Sequence, residues 1–274
     1  DDETSRGLGD VYKRQIGLQE LSKALGDWKA PDNWYQRSIE ERNKWDEYVA
    51  KESGPTNQEL PSYAHAVGAV YRNSDPSDIV VTAAGGLVGE VVQIWKPKEL
   101  NTFETEWGFS CMSYEISGAL GIKMAKPDQD VIVFVGDGSY LLQNSDIYSS
   151  VLYDKKLIIV VCDNGGHMVI NRLQLAKGGN EYLCNLNAAR ATNVQFVDFE
   201  AHAKSMGANG ETVKSISELE AAFKRAKESD KTYVISMKTD GYEWLEGTAF
   251  WESPTLEVDN LSLIHISEPT RRLI

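Results

Sequence analysis

Residues 131–164 read VIVFVGDGSYLLQNSDIYSSVLYDKKLIIVVCDN. The runs 131–135 and 157–162 are apolar at every position, and between them a stretch at about 141–153 carries Leu141, Ile147, Tyr148, Val151 and Leu152 at helical spacing. A strand that is apolar on consecutive residues is buried on both faces, and a parallel neighbour reached through a helix meets that demand. The segment therefore predicts strand, helix and strand within a parallel sheet.

The same alternation continues outward. Apolar runs at 79–83 and 233–238 predict further strands, and stretches near 62–72, 111–125, 199–206 and 217–228 predict helices. Together they predict an α/β fold, one doubly wound parallel sheet with helices on both faces, over residues 57–260. Residues 16–56 are polar and rich in tryptophan (Trp28, Trp34, Trp45), with a charged run SIEERNKWDEYVAKE and turn residues Gly54 and Pro55. That region reads as a linker with one helix.

Sheets of this kind bind ligands beyond the carboxyl ends of their strands, so chemistry is expected after Ala83, Val135 and Cys162. After Val135 comes Gly136-Asp137-Gly138-Ser139. The glycines let backbone amides approach an anion, and those of Gly138 and Ser139, at a helix start, are placed to hold phosphate oxygens. Asp137 would repel a phosphate unless a divalent cation lay between them. The next strand ends in Cys162-Asp163-Asn164-Gly165-Gly166, with Asn164 27 positions after Asp137. Adjacent parallel strands bring these loops together, so Asp137, the Asn164 side-chain oxygen and a carbonyl of the Gly165-Gly166 turn would offer a hard cation three oxygens, the balance Mg²⁺ prefers. Each motif alone is ordinary turn chemistry. Their occurrence in register on consecutive strands is far more specific. No GxxxxGK[ST] and no GxGxxG opening the first βα unit is present, which removes support for nucleotide hydrolysis and dinucleotide binding.

The 274 residues carry 28 Lys+Arg and 41 Asp+Glu, a net charge of -13. This acidic balance argues against nucleic-acid or anionic-membrane partners, and no apolar run approaches the roughly 20 residues of a membrane span. Cys111, Cys162 and Cys184 form no disulfide framework, which favours a reducing compartment, the cytoplasm.

The two ends read as foreign. Codons can be chosen for SRGLGDVYKRQ (5–15) whose reverse complement translates as LSLIHISEPTR (261–271), residue for residue. Residues 1–15 and 261–274 are therefore expected to derive from a sequencing adapter flanking a cut gene.

The segment GDGSYLLQNSDIYSSVLYDKKLIIVVCDN resembles the signature of the thiamine-diphosphate enzymes, and AAGGLVGE (83–90) and EWGFSCMSYEISGALGIKMA (106–125) resemble the rest of their cofactor domain. The resemblance implies thiamine diphosphate and Mg²⁺ as cofactors, with Asp137, Asn164 and the Gly166 carbonyl on the metal. It places Gly85, Gly86, Gly136, Gly138 and Ser139 around the diphosphate, Ser110 beside the aminopyrimidine, and Met112 between the two rings. Within the family, the Glu106-to-Met112 segment, GDGSYL and the late GYEWLEGTAFWESPTLEV (241–258) are similar to a branch of C–C hydrolases acting on a polyhydroxy cyclic dione in inositol breakdown. An acetolactate synthase or 2-oxoacid decarboxylase type of enzyme, or a non-catalytic subunit supplying half of a split site, are the alternatives. The glutamate that activates the cofactor belongs, in this family, to an N-terminal domain and commonly to a partner subunit. The resemblance thus implies a homo-oligomer at full length and an inactive isolated fragment.

Departures from the family pattern are Ser113, where a Gly is expected, and Gly165-Gly166-His167-Met168. Glu106, Trp107 and His167 are candidates to face substrate. His65, His202 and Cys111 read as structural, and His265 falls in the adapter.

Overall fold

The computed structural model describes residues 3–246 except 107, 177, 189–192 and 194. The chain divides into two compact units, Asp1–Glu47 and Tyr48–Ile274. The first contains α1 (Glu3–Leu25) and most of α2 (Asp32–Glu52). Two helices thus occupy the region read as a linker with one. The missed stretch, IGLQELSKAL, is built of strong helix formers, and its exposed Leu18, Leu21 and Leu25 follow helical spacing.

The second unit is a parallel sheet in the order β2-β1-β3-β4-β6-β5. Its strands are β1 (Ile79–Thr82), β2 (Phe103–Thr105), β3 (Val131–Gly136), β4 (Ile158–Asp163), β5 (Asn209–Val213) and β6 (Tyr233–Lys238). α3 (Tyr63–Arg72) precedes β1, and between the strands run α4 (Gly85–Ile94), α5 (Tyr114–Ala125), α6 (Asp137–Leu142), α7 (Ser145–Leu152), α8 (Met168–Ala176), α9 (Phe199–Ser205) and α10 (Ile216–Glu228). From β1 through β6 every pairing is parallel, which with helices on both faces is the doubly wound α/β fold.

The apolar runs do what their composition demands. Every residue of β1 and β4 is buried, and so is every residue of β3 except Gly136. On one face Val81, Val133, Val135, Ile159 and Val161 meet Ile116 and Ala119 of α5, Ile147 of α7 and Ala203 of α9. The opposite face carries Phe134, which meets Trp95 at the end of α4 with ring centroids 6.1 Å apart. The starts of α3, α9 and α10 are capped by side chains: Ser62 accepts from His65, Asp198 from Ala201 at 2.9 Å, and Ser215 from Glu218 at 3.2 Å. Among the described residues no helix is long and apolar enough to cross a membrane.

The helix expected at 141–153 is two, α6 and α7. The Asn144 amide bonds back to the Tyr140 carbonyl at 3.2 Å and ends the first, and Ser145 begins the second. Of its predicted apolar face, Ile147 is buried and Val151 half-buried, while Leu141, Tyr148 and Leu152 are exposed. The helix expected at 111–125 begins later, at Tyr114, because Ser113 takes a left-handed conformation with φ 78°.

Candidate functional site

The chain enters β1, passes to β2 on one side and returns to β3 on the other, so the strand order reverses between β1 and β3. That reversal opens a crevice at the carboxyl ends, where such sheets hold ligands. Register pairs Gly136 with Cys162, which sets the loops carrying Asp137 and Asn164 side by side. Gly85, Gly86, Ser110, Met112, Gly136, Asp137, Gly138, Ser139, Asn164 and Gly166 line one cleft of about 190 Å³, with Tyr63 and His167 beside them.

Asp137 is 5% exposed. Burial, then the neighbouring Asp163 charge, pushes its pKa up to about 7, against the pull of backbone N–H groups of Gly166, Asp137 and Gly138. Asn164 is a hydrogen-bond partner of the buried Tyr63 phenol, while its Oδ1 is buried without a partner among the described residues. A raised carboxyl and an orphaned amide oxygen on adjacent loops are the two features that a hard cation would satisfy together. No group of three His, Cys, Asp or Glu placed to hold a metal ion occurs among the described residues, so a cation here would rely on this carboxylate, this amide and backbone carbonyls. The donors present fit Mg²⁺.

The Gly165-Gly166 turn is held from behind. His167 N–H donates to the Cys184 carbonyl at 2.7 Å and Leu186 N–H to the Gly165 carbonyl at 2.9 Å. Gly166 has φ 139°, and a Cβ there would lie 2.3 Å from the Cys184 oxygen, so only glycine fits. Gly138 is constrained less severely: a Cβ there would stand 2.6 Å from Cε1 of His167, a side chain that would have to shift. His167 is thus brought to the cleft, packed on the Gly-Asp-Gly turn.

Glu106 does not line the cleft. Its carboxylate accepts the N–H groups of Phe109 at 2.9 Å and Cys111 at 2.7 Å, which holds its pKa below the usual value and shapes the loop bearing Ser110 and Met112. Trp107 lies outside the described residues, as do 247–258 of the aromatic tail and the C-terminal segment with His265. Cys111 is exposed, and desolvation and then Glu106 push its thiol up, away from thiolate character. His65 closes a capping box with Ser62, and His202 bonds the Tyr140 hydroxyl at 2.9 Å.

Sequence reasoning missed Glu115. Buried in the first turn of α5, it accepts the Ala84 N–H and the Ser139 hydroxyl. The available signal was a lone carboxylate in an otherwise apolar helical run, ISGALGI following it directly.

A reversing parallel sheet whose Gly-Asp-Gly and Asn loops share one cleft defines a class of cofactor domain. Residues 83–237 match the family described as thiamine pyrophosphate enzyme, C-terminal TPP binding domain, and the chain belongs to that family. Among curated relatives it is 36% identical over 212 residues to the 3D-(3,5/4)-trihydroxycyclohexane-1,2-dione hydrolase of Shouchella clausii, covering 71% of this chain and 33% of the relative. It is 34% identical over 260 residues to the protein of the same name in Bacillus subtilis strain 168, covering 89% of this chain and 40% of the relative. The chain therefore spans between 33% and 40% of the length of these relatives. A thiamine diphosphate-dependent 4-hydroxybenzoylformate decarboxylase of Rhodococcus jostii RHA1 shares the fold, with TM-score 0.58 and 18% identity over 70% of this chain and 34% of that one.

Proposed function

We propose that the chain is the diphosphate- and metal-binding part of a thiamine-diphosphate-dependent hydrolase that opens a polyhydroxylated cyclic 1,2-dione at a C–C bond. The observation that carries this reading is the meeting of Asp137, the unpartnered Asn164 oxygen and the Gly165-Gly166 turn at one cleft. The names of the relatives supply the substrate class. Asp137, Asn164 and the Gly166 carbonyl would hold Mg²⁺, and the backbone of Gly85, Gly86, Gly138 and Ser139 the diphosphate. Ser110 and Met112 would position the rings.

When bound, thiamine diphosphate supplies a carbon nucleophile for the carbonyl and an electron sink for the breaking C–C bond. This chain orients and anchors. Its buried walls at Tyr63 and Leu87 exclude water from one side of the cleft. The activating glutamate would come from outside this chain, a reading supported by relatives that are more than twice its length. Isolated, the chain is expected to show no turnover, and measurable dione hydrolysis by it would contradict the split-site reading.

The test is titration calorimetry of this chain with thiamine diphosphate. Binding should require Mg²⁺, vanish with a chelator, and weaken by about 100-fold or more in Asp137→Ala, the scale expected on losing a charged metal ligand. Binding that ignores both changes removes the metal-bridged site. The substrate class is tested separately, by growth on inositol of a hydrolase-deficient host carrying the gene at the length of its relatives.

A further inference from the structure

We propose that Glu115 is the positioning residue of the diphosphate cradle, acting through Ala84 and Ser139 without touching the cofactor; this rests on the reading of the cleft given above. Glu115 is 1% exposed. Its two oxygens are divided between loops. Oε1 accepts the N–H of Ala84, the residue before Gly85, at 3.2 Å, and Oε2 accepts the Ser139 hydroxyl at 2.9 Å. Ser139 Oγ in turn accepts the N–H of Ser113 at 2.6 Å. One carboxylate therefore joins the loop after β1, the loop before α5 and the first turn of α6, and Ala84 and Ser139 both line the cleft.

Stability alone gives little reason for an acid here. Burying a carboxylate is costly even when it is fully hydrogen-bonded, and a well-packed apolar side chain of similar volume is commonly as good or better. Burial indeed drives the Glu115 pKa upward, and the bonds from its own N–H and from Ser139, Ala84 and Ser113 only oppose it. What a glutamate does and a leucine cannot is fix the spacing of two turns that must close on one anion. The same chain of donors decides what Ser139 offers. Its single proton goes to Glu115 and one lone pair is taken by Ser113, so the hydroxyl belongs to the tie and the backbone amide is left for a phosphate.

The test uses the 274-residue chain with Mg²⁺ and thiamine diphosphate, read by calorimetry, together with the melting temperature of the unliganded protein. Glu115→Leu removes both links at similar volume and should raise Kd about tenfold. Glu115→Gln keeps an acceptor for Ala84 and a donor for Ser139, so it should bind within about threefold of the wild type. Ser139→Ala cuts the same chain and should lose about as much as Glu115→Leu, and the double variant should be no worse than either single. Should Glu115→Leu fail to fold, Ser139→Ala and Glu115→Gln still carry the comparison. A purely structural acid would lower the melting temperature with no rescue in Kd by Gln and no shared loss with Ser139. Wild-type binding with both truncated variants unchanged, or losses that multiply in the double, overturns the positioning role alone. A wild type that binds neither thiamine diphosphate nor inorganic pyrophosphate with Mg²⁺ overturns the reading of the cleft and the positioning role with it.

Discussion

Glu90 is another buried acid, and its position makes a pH test possible. Its Oε1 accepts the Leu245 N–H at 3.1 Å, and its Oε2 has no partner among the described residues. Burial pushes its pKa from the ordinary 4.5 up to about 7, opposed by the Leu245 N–H and the Arg172 charge. An acid whose pKa is higher folded than unfolded takes up a proton on folding. Its stabilising contribution is fully present below about 4.5 and is lost as pH rises through about 7. The melting temperature should therefore climb as the buffer is taken from above 7 toward 5, and Glu90→Gln, neutral throughout, should flatten that climb. The slope will not vanish, because Asp137 and Glu115 are shifted the same way. Equal slopes in calorimetric scans of both proteins would remove Glu90 as a source. Ser113 provides a conformational test instead. It holds φ 78° at the start of α5, a region that costs a non-glycine residue about 1 kcal/mol and a β-branched one more. Ser113→Gly should change unfolding free energy by less than about 0.5 kcal/mol, strain relief offsetting the entropy glycine adds to the unfolded chain, whereas Ser113→Val should cost about 2 kcal/mol. Chemical denaturation distinguishes the two.

At the level of elements, the turn after β4 is shaped by a segment far along the chain. The bridge between Gly166 and Asn185 and the flanking bonds to Cys184 and Leu186 clamp it, and the Asn185 amide is in turn held by the Tyr242 hydroxyl at 2.8 Å. Gly166→Ala places a methyl against the Cys184 carbonyl at a φ that side chains avoid, so it should destabilise by more than about 2 kcal/mol and weaken Mg²⁺-dependent cofactor binding together. A variant that melts normally and binds normally would show that the clamp has no part in the site. This clamp was illegible in the sequence, where Gly165-Gly166 read only as a turn, because its partners lie about 20 residues on and no local pattern announces them. The sheet was legible wherever strands are buried on both faces: 131–135, 157–162 and 233–238 lie in β3, β4 and β6 to within a residue at each end. β5 was not, since NGETV sits at the sheet edge and mixes exposed with buried positions. α4 was hidden by its three glycines, which lower helix propensity, although the same stretch places Gly85 and Gly86 at the cleft. Asp137, Gly138, Ser139, Asn164 and the Gly165-Gly166 turn could be read from strand-end chemistry, and Gly85, Gly86, Ser110 and Met112 only from the family resemblance; Glu115 could not be read, because its role exists only across three separate segments.

For the chain as a whole, two surface properties oppose each other. The net charge of -13 keeps copies apart in dilute salt. Yet α7 leaves Tyr148 52% and Leu152 62% exposed one turn apart, Tyr153 62% exposed next to them, and α6 leaves Leu141 and Leu142 exposed as well. Apolar groups clustered in this way favour association once repulsion is weakened. Salt reduces the reach of the charge from about 20 Å near 0.02 M to about 4 Å near 0.5 M, while burial of apolar surface is not weakened by it. Self-association of this chain should therefore increase with ionic strength, the reverse of what ion pairing would give. Sedimentation velocity across that range tests the sign. The double variant Tyr148→Lys, Leu152→Lys should associate less than the wild type at the high-salt end despite its smaller net negative charge, because it removes the apolar face of α7. A wild type that stays monomeric in high salt, or a double variant that associates as strongly, would show that α7 does not supply the attraction.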